Sequence, residues 1–196
     1  MKSDPRIRRT RQRLHDALLT LSIEHGYDAV TVQDVLTHSE TARSTFYAHF
    51  RDKDDLLLSG FQEDEGPWFE HLFETHADEH PLGNFPHAWF EHIYQNKSLA
   101  KAFLGSSSAE MVMGHLKNLV VIEVRKLIDD HTDTDGAIPN EVIVQFVVGA
   151  SFNLMTWWID HDFPYSVQEI SQACNELILT GLKKSVPLSN EPLVST

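Results

Sequence analysis

The chain has 196 residues and a mass of 22.4 kDa, with 41% hydrophobic and 23% charged residues. That composition belongs to an ordinary globular protein of one domain or two small ones. Its one cysteine, Cys174, excludes an internal disulfide framework and fits a reducing cytosol. No unbroken run of about 18 apolar residues marks a membrane span. The formal net charge of −13 is divided unevenly. Residues 1–58 balance nine Lys/Arg against nine Asp/Glu, so residues 59–196 hold the whole excess. Residues 1–13 alone hold six Lys/Arg against one Asp. A basic end on an acidic body suits a molecule that docks on a polyanion by one end. The segment after that basic start is interrupted by His15, Asp16, Thr20 and Ser22, so it lacks the apolar core of a signal peptide.

In chain order, the first predicted helix runs from about Ile7 to His25, burying Leu14, Ala17, Leu18 and Leu21, with Gly26 as its C-cap. A second helix follows Thr31, which with Asp34 three residues on makes a variant capping box. Val32, Val35 and Leu36 form its apolar stripe. After a four-residue break, Ser39 to Ala42, a third helix carries Phe46 and Phe50. Asp52 caps a fourth helix bearing Leu57, Gly60 and Phe61, and Pro67 breaks it or starts the next. Residues 76–86 read as a loop rich in Pro and Gly. Helices are then expected at about His87–Gln95 and Leu99–Leu104. A long one follows the serines at 106–108, another runs from Asn140 to Ile159 behind Pro139, and a last runs from Val167 to about Lys184. The polar run 129–136 separates the two long helices. No alternating strand pattern of useful length appears, so the fold class is all-α.

Two short helices joined by a tight turn, the second presenting polar groups, form a helix-turn-helix over about residues 31–50. This stretch resembles the DNA-binding domain of the TetR family of bacterial transcriptional regulators. The resemblance rests on Thr31-Val32, Thr45-Phe46-Tyr47, Phe50, and Asp52-Lys53 before Leu56-Leu57. It covers roughly Arg8 to Phe61 without a gap, and its pattern looks most like the Gram-positive branch. The resemblance implies a three-helix DNA-binding domain at residues 1–58, a regulatory and dimerisation domain at 59–187, and a tail at 188–196. It also implies a cytoplasmic homodimer on a palindromic operator, with repression relieved by a small ligand and no cofactor or enzymatic activity. An activator, or a regulator controlled by a protein partner, is the alternative on the same fold.

The start of a recognition helix faces base edges, which places Ala42, Arg43, Ser44 and Thr45 to read sequence. Arg43 can donate two hydrogen bonds to a guanine, and Ala42 can touch a thymine methyl. Tyr47 and His49 suit phosphate contacts, as do Thr31 and Lys53 at helix N-termini. The resemblance supports such roles for Thr31, Thr45, Tyr47 and Lys53. Phe46 and Phe50 read as core. Two departures from the family pattern stand out. Glu40 occupies a turn position where glycine is common, and Ala42 replaces a polar cap, leaving that task to Thr41.

The helix at 140–159 is apolar over more than one stripe, which calls for burial on two sides. Phe146, Ala150, Leu154 and Trp157 on it, with Ile170, Ala173, Leu177 and Gly181 on the last helix, are the candidate dimer interface. In the resembling family these two helices build a four-helix interface. Trp68, Phe69, Phe73, Trp89, Phe90, Tyr94 and Phe103 are candidates for lining a ligand cavity, although aromatic stripes at helical spacing also make plain core. His76, Glu79 and His80 match an inverted zinc-peptidase motif, but Pro81 follows at once and the polar-loop reading outweighs it. A His-rich metal sensor is a further minority reading. Asp133 to Gly136 imitates a calcium loop, but His131 and Val142 stand at the first and twelfth ligand positions, which rejects it.

Overall fold

The structure is a computed structural model that describes residues 5–63, 85–131 and 138–182. Trp68, Phe69, Phe73, the His76–Glu79–His80 motif, Pro67, the stretch 133–136 and the tail after residue 187 lie outside the described residues. Among the described residues every regular element is helical, and the all-α expectation holds. The chain divides into two compact units. One comprises residues 1–69 with 96–115, and the other residues 70–95 with 116–196. The stretch 96–115 therefore joins the N-terminal unit although it lies far beyond residue 58.

In the first unit, α1 (Pro5–His25) is a 21-residue helix. It buries Leu14, Ala17, Leu18 and Leu21 against α2 (Val32–His38), α4 (Lys53–Glu63) and α6 (Lys97–Leu104). The predicted stripe is thus the observed one. Gly26 ends α1 with φ at 80°, a left-handed value that glycine adopts without a Cβ clash. A single 3₁₀ turn, Tyr27–Ala29, leads into Thr31. There the capping box is complete: Thr31 Oγ accepts from the Asp34 amide, and the Asp34 carboxylate accepts from the Thr31 amide at 2.9 Å. The short α3 (Arg43–Tyr47) stops earlier than its apolar spacing implied, and Ala48 is its C-cap.

The second unit contains α5 (Phe85–Gln95), most of the long α7 (Ala109–His131), α8 (Asn140–Asp160) and α9 (Val167–Leu182). Helix α9 packs on both α5 and α8. Its aromatic core joins Trp89 to Phe152 at 5.0 Å between ring centroids, and Phe90 to Trp158 at 5.5 Å. Ser166 and Glu169 close a second reciprocal capping box at the start of α9. The hydroxyl protons of the three serines before α7 go to other groups of the first unit. Ser106 Oγ donates to the Phe103 carbonyl, Ser107 Oγ to Asp28 and Ser108 Oγ to Asp54. Helix α8 is long and apolar enough to cross a membrane by length and composition, and half of that stretch is buried inside the protein.

Candidate nucleic-acid interface

The core beneath the helix-turn-helix fixes which side chains face outward. Val35, Phe46, Phe50, Leu56 and Leu57 are all buried. Phe46 and Phe50 meet at a tilt, 5.6 Å between centroids, and their burial makes them core and leaves the opposite face of α3 to solvent. On that face Ala42, Arg43, Ser44 and Tyr47 are exposed, with Thr45 and His49 half-buried beside them. Six of the eight residues expected to meet DNA therefore form one contiguous polar surface.

The turn that aims this surface has two features. Glu40 adopts a φ of 50°, the left-handed value that the usual glycine would supply. Ala42 is the N-cap of α3 and makes no side-chain cap bond. Thr41 does not take over that task. Its hydroxyl donates back to the Ser39 carbonyl at 3.2 Å, stabilising the turn and leaving the first amides of α3 uncapped. Open amides at that point remain free to donate to an outside acceptor.

The other two expected contacts are engaged within the protein. Thr31 Oγ donates to Asp34 at 2.6 Å while serving the capping box. Lys53 Nζ donates to the carbonyls of Tyr27 and Val30 at 2.7 and 2.9 Å, and lies 4.3 Å from the Tyr27 ring centroid. Two of its three N–H donors thus clamp the segment that leads into Thr31. This is a different first task from the phosphate grip expected of it.

Sequence reading missed the polar chain behind this clamp. Tyr27 is fully buried and its hydroxyl donates to Asp54, which also accepts from Ser108 at 3.2 Å. Burial, then the bond to Asp54, push the Tyr27 phenol well above its ordinary range. Asp28 accepts from the Ser107 amide at 2.9 Å and from its hydroxyl at 2.7 Å. The Ser107 hydroxyl first, and its amide second, hold the Asp28 carboxyl below the usual carboxylate range. These partners lie 54 and 79 residues apart, beyond the reach of any local pattern. Arg11 was also missed as a supporting residue. Its guanidinium sits over Phe50 at 5.0 Å, so the basic α1 touches the end of the recognition segment.

Two family models cover most of the chain. One, described as "Bacterial regulatory proteins, tetR family", matches residues 14–59, the part just described. The other, "Transcriptional regulator C-terminal region" of the same family, matches residues 84–180. The chain belongs to the TetR family of transcriptional regulators. An uncharacterized HTH-type transcriptional regulator of Bacillus subtilis, YxbF, is 25% identical over 80% of the chain, and the chain spans 41% of that relative's length. The negative regulator of the biofilm operon icaADBC in Staphylococcus epidermidis, IcaR, is 20% identical over 78% of the chain and 84% of its own length. The solved complex of SmeT with triclosan shares the fold with a TM-score of 0.69 at 13% identity, covering 95% of the chain and all of that protein.

The aromatic candidates separate. Trp89 and Phe90 are buried together in the second unit, and Tyr94 lies at its edge against Trp158 and Phe163. Phe103 is not with them. It packs on Tyr27 at 5.2 Å in the first unit, because α6 belongs there. The Trp89 indole N–H is buried and has no hydrogen-bond partner among the described residues.

On α8, Phe146 and Trp157 are exposed at 53% and 38%, and Leu177 on α9 is exposed at 70%. Ala150, Ala173 and Gly181 are exposed too, and Leu154 is half-buried. The ring of Phe146 lies 3.9 Å from the place a Cβ on Gly181 would take, so the exposed residues of the two helices meet. Ile170 departs from the set. At 4% exposure it faces its own unit, not the open side.

Proposed function

We propose that this regulator is a repressor that binds a two-fold operator as a homodimer and releases it when a small molecule enters the second unit. The observation that carries the DNA reading is the contiguous polar face of α3 set on a buried Phe46–Phe50 floor. In this reading Arg43 reads a guanine, with Ala42, Ser44 and Thr45 beside it, while Tyr47, His49 and Thr31 contact phosphates. Lys53 contributes its remaining N–H to a phosphate while its other two hold the Tyr27–Val30 segment. The basic start of α1 adds to the same field, and the acidic remainder is kept off the DNA. Repression is the sign favoured by likeness to IcaR, whose name calls it a negative regulator. In this reading the protein acts in the cytoplasm.

The dimer reading is supported by the exposed apolar strip Phe146, Ala150, Trp157, Ala173 and Leu177, the kind of surface that marks an association site. The effector reading rests on Trp89. A buried indole N–H without an acceptor costs roughly 1–3 kcal/mol, which a ligand acceptor would recover. SmeT, a protein of this fold, has been solved in complex with triclosan.

Selection of bound duplexes from a random pool tests the operator reading. Recovery of an inverted repeat with guanine in each half-site is the expected result, and unselected binding of all sequences would defeat it. Titration with neutral, cationic and anionic aromatic compounds, followed by tryptophan emission, tests the effector. The tight packing of Trp89 and Phe90 favours the second reading, control by a protein partner, if no compound changes that emission.

A further inference from the structure

Arg43 and Tyr47 stand one helical turn apart on the open face of α3, the spacing at which side chains on a helix meet. The Arg43 guanidinium lies over the Tyr47 ring, 5.4 Å from its centroid. Two other arginines of the described chain are spent on carboxylates: Arg51 on Asp55 at 3.3 Å and Arg125 on Glu141 at 2.6 Å. Arg43 has no such partner among the described residues, and neighbouring Glu40 does not take it. All five of its N–H donors are therefore unspent while its Cζ lies over a ring. The ring itself meets the buried Phe46 edge-on at 5.2 Å.

We propose that Tyr47 is a specificity-determining positioning residue: its ring, not its hydroxyl, holds the Arg43 guanidinium in the orientation that reads guanine. An unsupported arginine has about 2 kcal/mol of rotamer freedom to lose when it forms a two-pronged contact. A ring that restrains it beforehand lowers that loss only for the base-reading pose. The gain then appears as discrimination between bases and not as general affinity. A cation–π contact consumes none of the N–H donors, so they stay open to a base. The proposal rests on Arg43 as the base reader, so its test must separate the two.

The test uses the full-length protein and two duplexes: the preferred one recovered by selection, and the same duplex with one guanine·cytosine pair changed to adenine·thymine. The pair is the one whose change costs the wild type most. The readout is the ratio of the two Kd values, in which any lost phosphate contact cancels. Arg43→Ala is expected to reduce this ratio by roughly five- to 150-fold. Tyr47→Phe, which keeps the ring, is expected to discriminate as the wild type does. Tyr47→Leu and Tyr47→Met, both good helix formers at this exposed position, are expected to discriminate about two- to fivefold less. Wild-type discrimination by both ring-less variants would overturn the proposal while leaving Arg43 as reader. Loss of discrimination by Tyr47→Phe equal to that of Tyr47→Leu would also overturn it, by transferring the effect to the hydroxyl. An unchanged ratio in Arg43→Ala would remove the base-reading role itself, and the positioning role with it.

Discussion

Glu40 is held at φ 50°, where an L-residue with a Cβ is strained by roughly 1–2 kcal/mol. Glycine relieves that strain but gives back about 0.5–1 kcal/mol in unfolded-state entropy. Glu40→Gly is therefore expected to raise stability by up to about 1 kcal/mol in urea unfolding, and a lower midpoint would show that the turn relies on the glutamate side chain. The opposite logic applies at Gly60. A Cβ added there would lie 1.7 Å from His15 Nε2, so the imidazole of α1 occupies the space that glycine leaves on α4. Gly60→Ala is expected to cost about 1 kcal/mol or more by overpacking. His15→Ala should remove most of that cost in the double variant. Strictly additive losses would mean the clash is not where the penalty arises.

Helix ends supply the element-scale stability. Thr31→Ala removes the hydroxyl of the first capping box and is expected to cost about 1 kcal/mol, read as a lower urea midpoint. The two capping boxes and two other carboxylate contacts set the response to acid. The Thr31 hydroxyl, then its amide, hold the Asp34 carboxyl below its ordinary value, and the Ser107 hydroxyl, then its amide, do the same for Asp28. The Arg51 amide does so for Asp55, and the Ser166 hydroxyl for Glu169. Each depressed carboxyl contributes stability in full above its unfolded pKa, near 4, and loses it as pH falls through the folded value. Unfolding midpoints should accordingly hold from pH 7 to about 5 and fall below about 4. Asp28→Asn with Asp34→Asn should flatten that fall, and an unaltered profile would assign the acid response to other groups. The Thr31–Asp34 box was legible in the sequence because its partners sit three residues apart, as were the buried stripes, which repeat at helical spacing. The inward turn of Ile170, the placing of Phe103 on Tyr27 and the Ser107–Asp28 clamp were not legible. Each depends on which helices pack together, and periodicity carries no information on that. Lys53 was half legible: its place at the start of α4 was evident, but the two carbonyls it binds come from the distant 27–30 segment.

At the scale of the whole molecule, the proposed dimer rests on the apolar strip of α8 and α9. Two recognition helices can read two half-sites only if something holds them at a fixed spacing, and one chain carries a single such helix among its described residues. The exposed side chains of α8 and α9 are suited to hold that spacing. Leu177 is 70% exposed, so an aspartate there is well hydrated in the single chain and costs its fold little. The same aspartate buried against a second copy would be an unpaired charge in an apolar interface, which is strongly unfavourable. Leu177→Asp is therefore expected to sediment as a monomer at micromolar concentration with an unchanged helical circular dichroism signal, while the wild type sediments as a dimer. The variant should also lose operator binding far more than it loses affinity for random DNA, because the two-fold contact is broken while each phosphate-contacting face remains. Trp158→Asp is the control. That residue is fully buried in its own unit, so it should unfold the protein and not merely dissociate it. A wild type that sediments as a monomer, or a Leu177→Asp protein that remains dimeric, would move the interface away from these two helices and leave the exposed strip for a different partner.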